Sequence, residues 1–293
     1  MPDSPARLLR CVLVALLLAL GLAPMPRALA QPAIATLDWT LAETLVALGV
    51  TPVGVAQVDA YHAWVGTHLP EAAVDLGLRS QPNLELLANL APDHLLISPM
   101  FANLAPRLSH IAPVTTLPLY TPGRETWPQL RDLTHEVGRL AEREAAAERL
   151  IAKTEARLAD LQQRLPERVP PLLVVQFMDE RHVRVFGEGG LYQAVMARLG
   201  LENAWHGETN AWGFSLVGLE QLAGLTARLV VVEPYPVGVE TALAGSGLWQ
   251  QQPSVRDDSL ITLPPVWSFG ALPSAIRFAE HLVAALEEAP HDD

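Results

Sequence analysis

From residue 127 to residue 165 apolar side chains recur at three- and four-residue steps. Leu130, Leu133, Val137, Leu140, Ala147, Ile151, Leu158, Leu161 and Leu165 share one helical face, broken only at Glu144 and Thr154. Thr126 and Gln129 have capping-box spacing, Pro128 suits a first turn, and Pro166, Pro170 and Pro171 stop the pattern. The spacing predicts one continuous helix over 127–165, about 58 Å long at about 1.5 Å per residue. That is more than one small lobe can cover, so the helix is expected to bridge two lobes.

Shorter patterns flank it. Before the helix, strands are expected near Ile34–Leu37, Pro52–Gln57, His94–Ser98 and Val114–Leu117. Between them lie a helix from Leu41 to Leu48, with Thr40 and Glu43 at capping-box spacing and Gly49 as its stop, and a helix capped by Asn83. After it, strands are expected near Leu172–Phe177, Val183–Phe186, Leu229–Glu233 and Ser259–Leu263, with helices over Leu191–Leu199, Leu219–Leu225 and Ala271–Glu288. Strand and helix alternating at short intervals predict an α/β protein. Two α/β lobes, residues 31–126 and 166–293, would be joined by the single long helix 127–165, with a ligand cleft between the lobes where strand ends meet.

The N-terminus changes the picture of location. Arg7 and Arg10 precede an apolar run from Cys11 to Ala23, and Ala28-Leu29-Ala30 supplies small residues at a cleavage position. Residues 1–30 therefore read as a secretory signal peptide cleaved near Ala30, and the run is too short for a spanning helix. Cys11 is the only cysteine, so the exported chain would have no disulfide and must be held by its core. Losing Arg7, Arg10, Arg27 and Asp3 takes the formal net charge from −12 to −14. So acidic a surface argues against nucleic acid and anionic membrane as partners, with no membrane insertion after cleavage. Lys153 is the only lysine, which excludes Schiff-base and phosphate-loop chemistry resting on lysine.

Among candidate functional residues, three of the seven tryptophans fall in expected loops: Trp64, Trp212 and Trp267. Loop aromatics from both halves would suit an apolar, weakly charged guest. Arg79 follows Gly77-Leu78 and precedes the Asn83 cap; it is either an ion-pair partner, for instance of Asp75, or a fixed fork of donors for a ligand oxygen anion. No nucleophile elbow, thiol or metal-ligand cluster stands out, so no catalytic residues and no metal site are expected. Gly187-Glu188-Gly189-Gly190 reads as a tight turn rather than a dinucleotide fingerprint. His62 and His68 are the one histidine pair expected near the cleft.

At these positions the chain resembles the ferric hydroxamate siderophore-binding proteins of the bacterial periplasm, the FhuD type. The resemblance is carried by Leu37-Asp38-Trp39 with Leu45 to Gly49, Trp64-Val65, Gly77-Leu78-Arg79 through Pro82 to Leu87, Asn203-Ala204-Trp205, Gly207 to Asn210, Trp212-Gly213, Pro265-Val266-Trp267 and Gly270-Ala271. It implies two lobes on a helical backbone, a shallow aromatic cleft, no covalent cofactor, and delivery of an Fe(III)-siderophore complex to an inner-membrane ABC permease. It further implies a monomer in the periplasm. By that resemblance Arg79 bonds hydroxamate oxygens, Trp64, Trp212 and Trp267 are pocket tryptophans, and Asn210 is a pocket asparagine. Phe101 and Phe269 stand where the family has tyrosines, and Phe214 where it has a serine, beside Ser215. Each change removes a hydroxyl and predicts a more apolar pocket, with Tyr61, Ser215 and Ser268 as candidate replacement donors. Glu85 and Glu220 fit the two lobe carboxylates that meet transporter arginines. A binding protein for another iron chelate, cobalamin or haem on the same fold, or a metal-ion receptor built on His62 and His68, are the alternatives.

Overall fold

The computed structural model describes residues 31–288. The expected signal peptide, residues 1–30, lies outside them. The first lobe runs β1 (Ile34–Thr36), α1 (Trp39–Ala47), β2 (Gly54–Val55), α2 (Val58–Val65), β3 (Val74–Asp75), the hairpin β4 (Gly77–Leu78) and β5 (Gln81–Pro82), α3 (Leu84–Asn89), β6 (His94–Ile97) and β7 (Val114–Thr116). Its sheet has the order β3-β2-β1-β6-β7 with every pair parallel. The second lobe contributes β8 (Leu172–Phe177), β9 (His182–Phe186), β10 (Phe214–Gly218), β11 (Arg228–Val232) and β12 (Ile261–Leu263), in the order β10-β9-β8-β11-β12. There β8, β11 and β12 are parallel, while β9 and β10 form an antiparallel edge.

The connector departs from expectation. Residues 126–164 are two helices, α4 (Thr126–Leu140) and α5 (Glu144–Arg164), folded back on each other as a hairpin. Arg131 pairs with Glu155 and His135 with Glu148 across it. The turn is made at Ala141-Glu142-Arg143, where Glu142 takes φ +53° and Arg143 N–H donates to Gly138 O at 2.6 Å. Gly138 is required there: a Cβ on it would lie 2.7 Å from the Ala147 methyl. The apolar stripe misleads because a tight helical hairpin keeps both apolar faces turned toward the same core. Glu144, one of its two interruptions, is the first residue of α5. The longer helix therefore spans about 32 Å rather than 58 Å.

Local chemistry accounts for the other ends. Asp38 caps α1, accepting from Thr40 N–H at 2.8 Å, and Gly49 terminates it at φ +76°. Thr40 and Glu43 are thus not a capping box; both turn inward, as described below. Thr126 and Gln129 do not form one either. Thr126 donates to Gly189 O of the second lobe, and Gln129 ties down the Thr121–Glu125 loop. On the outer faces Glu136 pairs with Arg139, whereas Asp160 pairs with Arg157 and Arg164 reaches Glu287 of the last helix, Leu272–Glu288. The expected helix over Leu219–Leu225 is only a 3₁₀ turn, Leu219–Gln221.

One apolar cluster runs through both lobes and the hairpin. It joins Ile34, Leu41, Leu45 and Leu96 of the first lobe to Leu130, Val137, Ala147 and Ile151 of the hairpin, and to Val174, Phe186, Val230 and Phe278 of the second. Polar contacts reinforce this junction. Glu43, 4% exposed, receives hydrogen bonds from Arg277 at 2.6 Å and from Ser274 at 2.5 Å, and Arg277 also donates to Val65 O. Tyr120 donates to Gly270 O at 2.6 Å. These contacts clasp the lobes at the base of the cleft.

Candidate functional site

Above that clasp, an open pocket is lined from the first lobe by Asp38, Thr40, Arg79, Ser98, Met100 and Tyr120, from the connector by Leu133, and from the second lobe by Trp212, Trp267 and Phe269. Arg79 arrives by backbone design. It sits in the two-residue turn of the β4–β5 hairpin, entered through Gly77 at φ +78°. Its guanidinium folds back to donate to Leu37 O at 3.2 Å and lies over the rings of Trp39 at 4.3 Å, Phe101 at 5.0 Å and Trp267 at 5.7 Å. Its nearest carboxylate is Asp38 at 3.9 Å, a loose pair, and Asp38 is already engaged as the α1 cap. Asp75 accepts instead from the backbone N–H groups of Gln57, Val58 and Gly77. Burial pulls the Arg79 pKa below its ordinary range, and Asp38 opposes that pull. A cation so placed gains most from an anionic oxygen entering the pocket.

The aromatic groups form a connected row. Trp39 meets Trp267 at 4.9 Å, Trp267 meets Phe269 at 5.1 Å and 86°, and Phe269 meets Trp212 at 5.4 Å and Phe214 at 5.9 Å. The row crosses from one lobe to the other because the loop after β12 carries Trp267 into the first lobe, where its indole N–H donates to the Thr40 hydroxyl at 3.1 Å. Thr40 in turn donates to Phe269 O at 2.8 Å. Asn210 holds the opposite wall, its Oδ1 accepting from Trp212 N–H at 2.9 Å and, more loosely, from Phe214 N–H.

Of the residues expected at the site, Arg79, Trp212, Trp267 and Phe269 line the pocket, while Phe101, Phe214 and Asn210 support its walls. Trp64 does not line it: it lies on α2, not on a loop, half-buried beside the cluster of Trp39, Tyr61 and Val65. The candidate donors divide. Tyr61 is buried against Thr67, and Ser215 is bonded to the Glu208 carbonyl. Ser268 is buried without a hydrogen-bond partner and is absent from the lining. Not anticipated from sequence is Ser98, which follows β6 in the pocket lining with its hydroxyl oxygen buried and unpartnered. Tyr120, which lines the pocket, is not anticipated either, nor is Arg184, which lies outside the lining and against its aromatic wall. Arg184 on β9 lies over Phe214 at 5.1 Å and Phe269 at 5.5 Å. The rings of His62 and His68 are 4.6 Å apart, but among the described residues no group of three or more His, Cys, Asp or Glu is placed to hold a metal. Glu85, in the first turn of α3, and Glu220, in the 3₁₀ turn after β10, are exposed, one on each lobe.

Among the described residues no helix is long and apolar enough to cross a membrane. Comparison with known proteins agrees with the architecture. The chain is 34% identical over 256 residues to the iron(3+)-hydroxamate-binding protein FhuD of Escherichia coli K12, covering 86% of each. It is 29% identical to the achromobactin-binding periplasmic protein of Dickeya dadantii, covering 90% of this chain and 83% of that one. The crystal structure of Vibrio cholerae FhuD bound to Fe3+-Desferal superposes with a TM-score of 0.83 at 27% identity, over 88% of this chain and 99% of that one. Residues 34–266 match the periplasmic binding protein family, and the chain belongs to it.

Proposed function

We propose that this chain captures a ferric siderophore, of hydroxamate type, and hands it to an inner-membrane ABC permease. The observation that carries the reading is the row of rings from Trp39 to Trp212 across the cleft, with Arg79 held over its first-lobe end. The rings bury the organic skeleton of the complex, and the guanidinium meets negative oxygens around the metal. The likeness to the E. coli and V. cholerae hydroxamate binders supports that ligand class.

The protein acts by binding alone, without a catalytic residue or covalent cofactor. It works as a periplasmic monomer after cleavage near Ala30. The clasp at Glu43, Arg277 and Tyr120 keeps the site largely formed before the ligand arrives, which lowers the ordering cost of binding. Glu85 and Glu220 offer one carboxylate per lobe to permease arginines.

The test is tryptophan fluorescence of the purified protein titrated with ferrichrome, ferrioxamine, cobalamin and a ferric catecholate. Saturable quenching by a hydroxamate complex at micromolar concentration or below is expected. Quenching by cobalamin or the catecholate alone would retain an importer role and refute the hydroxamate class.

A further inference from the structure

We propose that Arg184 is a specificity-determining residue, and that with Arg79 it selects ferric complexes bearing net negative charge, such as carboxylate- or citrate-containing chelates, over neutral trihydroxamate complexes. This rests on the siderophore reading and adds the charge class of the ligand.

Arg184 lies on β9 in register with Gln176 of β8 and Leu216 of β10, on the sheet face that carries Val174 and Phe186 toward the shared core. Its guanidinium covers the rings of Phe214 and Phe269, and its one polar contact within the protein is a long one, 3.5 Å, to Gln176 Oε1. Among the described residues no carboxylate lies within ion-pair distance of it. The contrast with Arg277, which sits against Glu43 at 2.6 Å, is direct.

The chain has 32 acidic residues against 20 basic ones, yet the two arginines beside this aromatic row are loosely paired or unpaired. A half-buried cation without a counter-charge is costly in the free protein, and an entering anion supplies the missing partner. Stacking on ring faces leaves the edge of a guanidinium, with its N–H groups, directed outward for oxygen acceptors. Phe214 and Phe269 therefore have a use that the loss of hydroxyls conceals: they form the platform that holds a second cation. Burial draws the Arg184 pKa below its ordinary range, and only Tyr192 opposes it.

The test compares two probes on the full protein: ferrichrome, a neutral trihydroxamate complex, and ferric aerobactin, a citrate-bridged dihydroxamate complex with net negative charge. Dissociation constants are read from tryptophan quenching at two salt concentrations, with a thermal melt on each variant. The wild type is expected to bind ferric aerobactin at least tenfold tighter, with the preference shrinking at high salt. Arg184→Leu should shift the ratio of the two constants at least tenfold toward ferrichrome, and Arg184→Lys should restore part of it. If the leucine variant does not fold, Arg184→Gln and the wild-type salt dependence decide instead. A wild type without preference for the anionic complex, or variants that weaken both complexes equally, overturns the role of Arg184 and leaves the siderophore reading standing. Failure of the wild type to bind either complex overturns both.

Discussion

Arg277 holds a buried carboxylate of the opposite lobe, and its removal has a calculable signature. It donates to Glu43 Oε1 at 2.6 Å and to Val65 O at 2.9 Å. Burial holds the Glu43 carboxyl above its ordinary value of 4.5, while Arg277 and the Ser274 hydroxyl draw it back. In Arg277→Met the apolar stem stays and the charge goes, so the carboxyl rises further. Breaking a buried pair by removing one partner costs about 3–5 kcal/mol. Proton uptake sets a ceiling on that cost. At about 1.36 kcal/mol per pH unit above the unfolded-state value, keeping Glu43 charged can cost at most about 3.4 kcal/mol at pH 7 and about 0.7 kcal/mol at pH 5. A group whose folded pKa is raised leaves stability intact below the unfolded value and takes it away as pH rises through the folded one. Because the wild type shares some of that slope, Arg277→Met should be about 2–3 kcal/mol less stable than wild type at pH 7.5 and about 1 kcal/mol less at pH 5, where the lost Val65 bond dominates. Urea unfolding followed by tryptophan fluorescence measures both values. Adding Glu43→Gln to the variant should recover most of the pH-dependent part. An equal deficit at the two pH values, or no recovery in the double variant, would refute the picture of a charged Glu43 held by Arg277.

Arg79→Ala is expected to weaken ferric hydroxamate binding about ten- to a hundredfold, as loss of a charged hydrogen-bonding partner worth about 1.5–3 kcal/mol implies; unchanged affinity in a folded variant would remove Arg79 from the site. Ser98→Ala should weaken the same ligand by about two- to tenfold without lowering the stability of the free protein, since the hydroxyl has no partner within it. Lower stability with unchanged affinity would show the hydroxyl to be structural. Reversing charge at Glu85 and Glu220 together should leave ligand quenching intact and abolish siderophore-dependent growth of cells relying on this protein, whereas normal growth would exclude these carboxylates from permease docking.

The α/β alternation was legible wherever strands are short apolar runs between turn residues, and most of β1, β6, β8, β11 and β12 lie where that pattern puts them. The connector was not, because periodicity reports which face is buried and is blind to a chain that doubles back. Gly138 and the small residues around Ala147 were the available sign, but glycine in a helix has several readings. α2 was missed because its eight residues show no clear stripe; its stop, Gly66 at φ +74°, was there to be read. At the site, Arg79 and the tryptophans of the second lobe stood out by type and loop position. Arg184 did not, because an arginine within a strand reads as an ordinary solvated residue until the platform of Phe214 and Phe269 is seen. Thr40 and Glu43 looked like a cap by spacing, but their partners lie more than two hundred residues away.

That separation bears on timing. Glu43 and Arg277 are 234 positions apart, and the cluster on one face of the first-lobe sheet takes in Phe278 from the final helix, whereas the other face is filled from within the lobe. A polypeptide made from its N-terminus therefore cannot cover that one face of its first lobe until the last helix has been made. That face stays open until the helix that emerges last reaches it, and closing so long a loop is a slow step. Removing the last helix would bare that face and leave Glu43 without its arginine, so the loss should be felt in the first lobe as well as in the second.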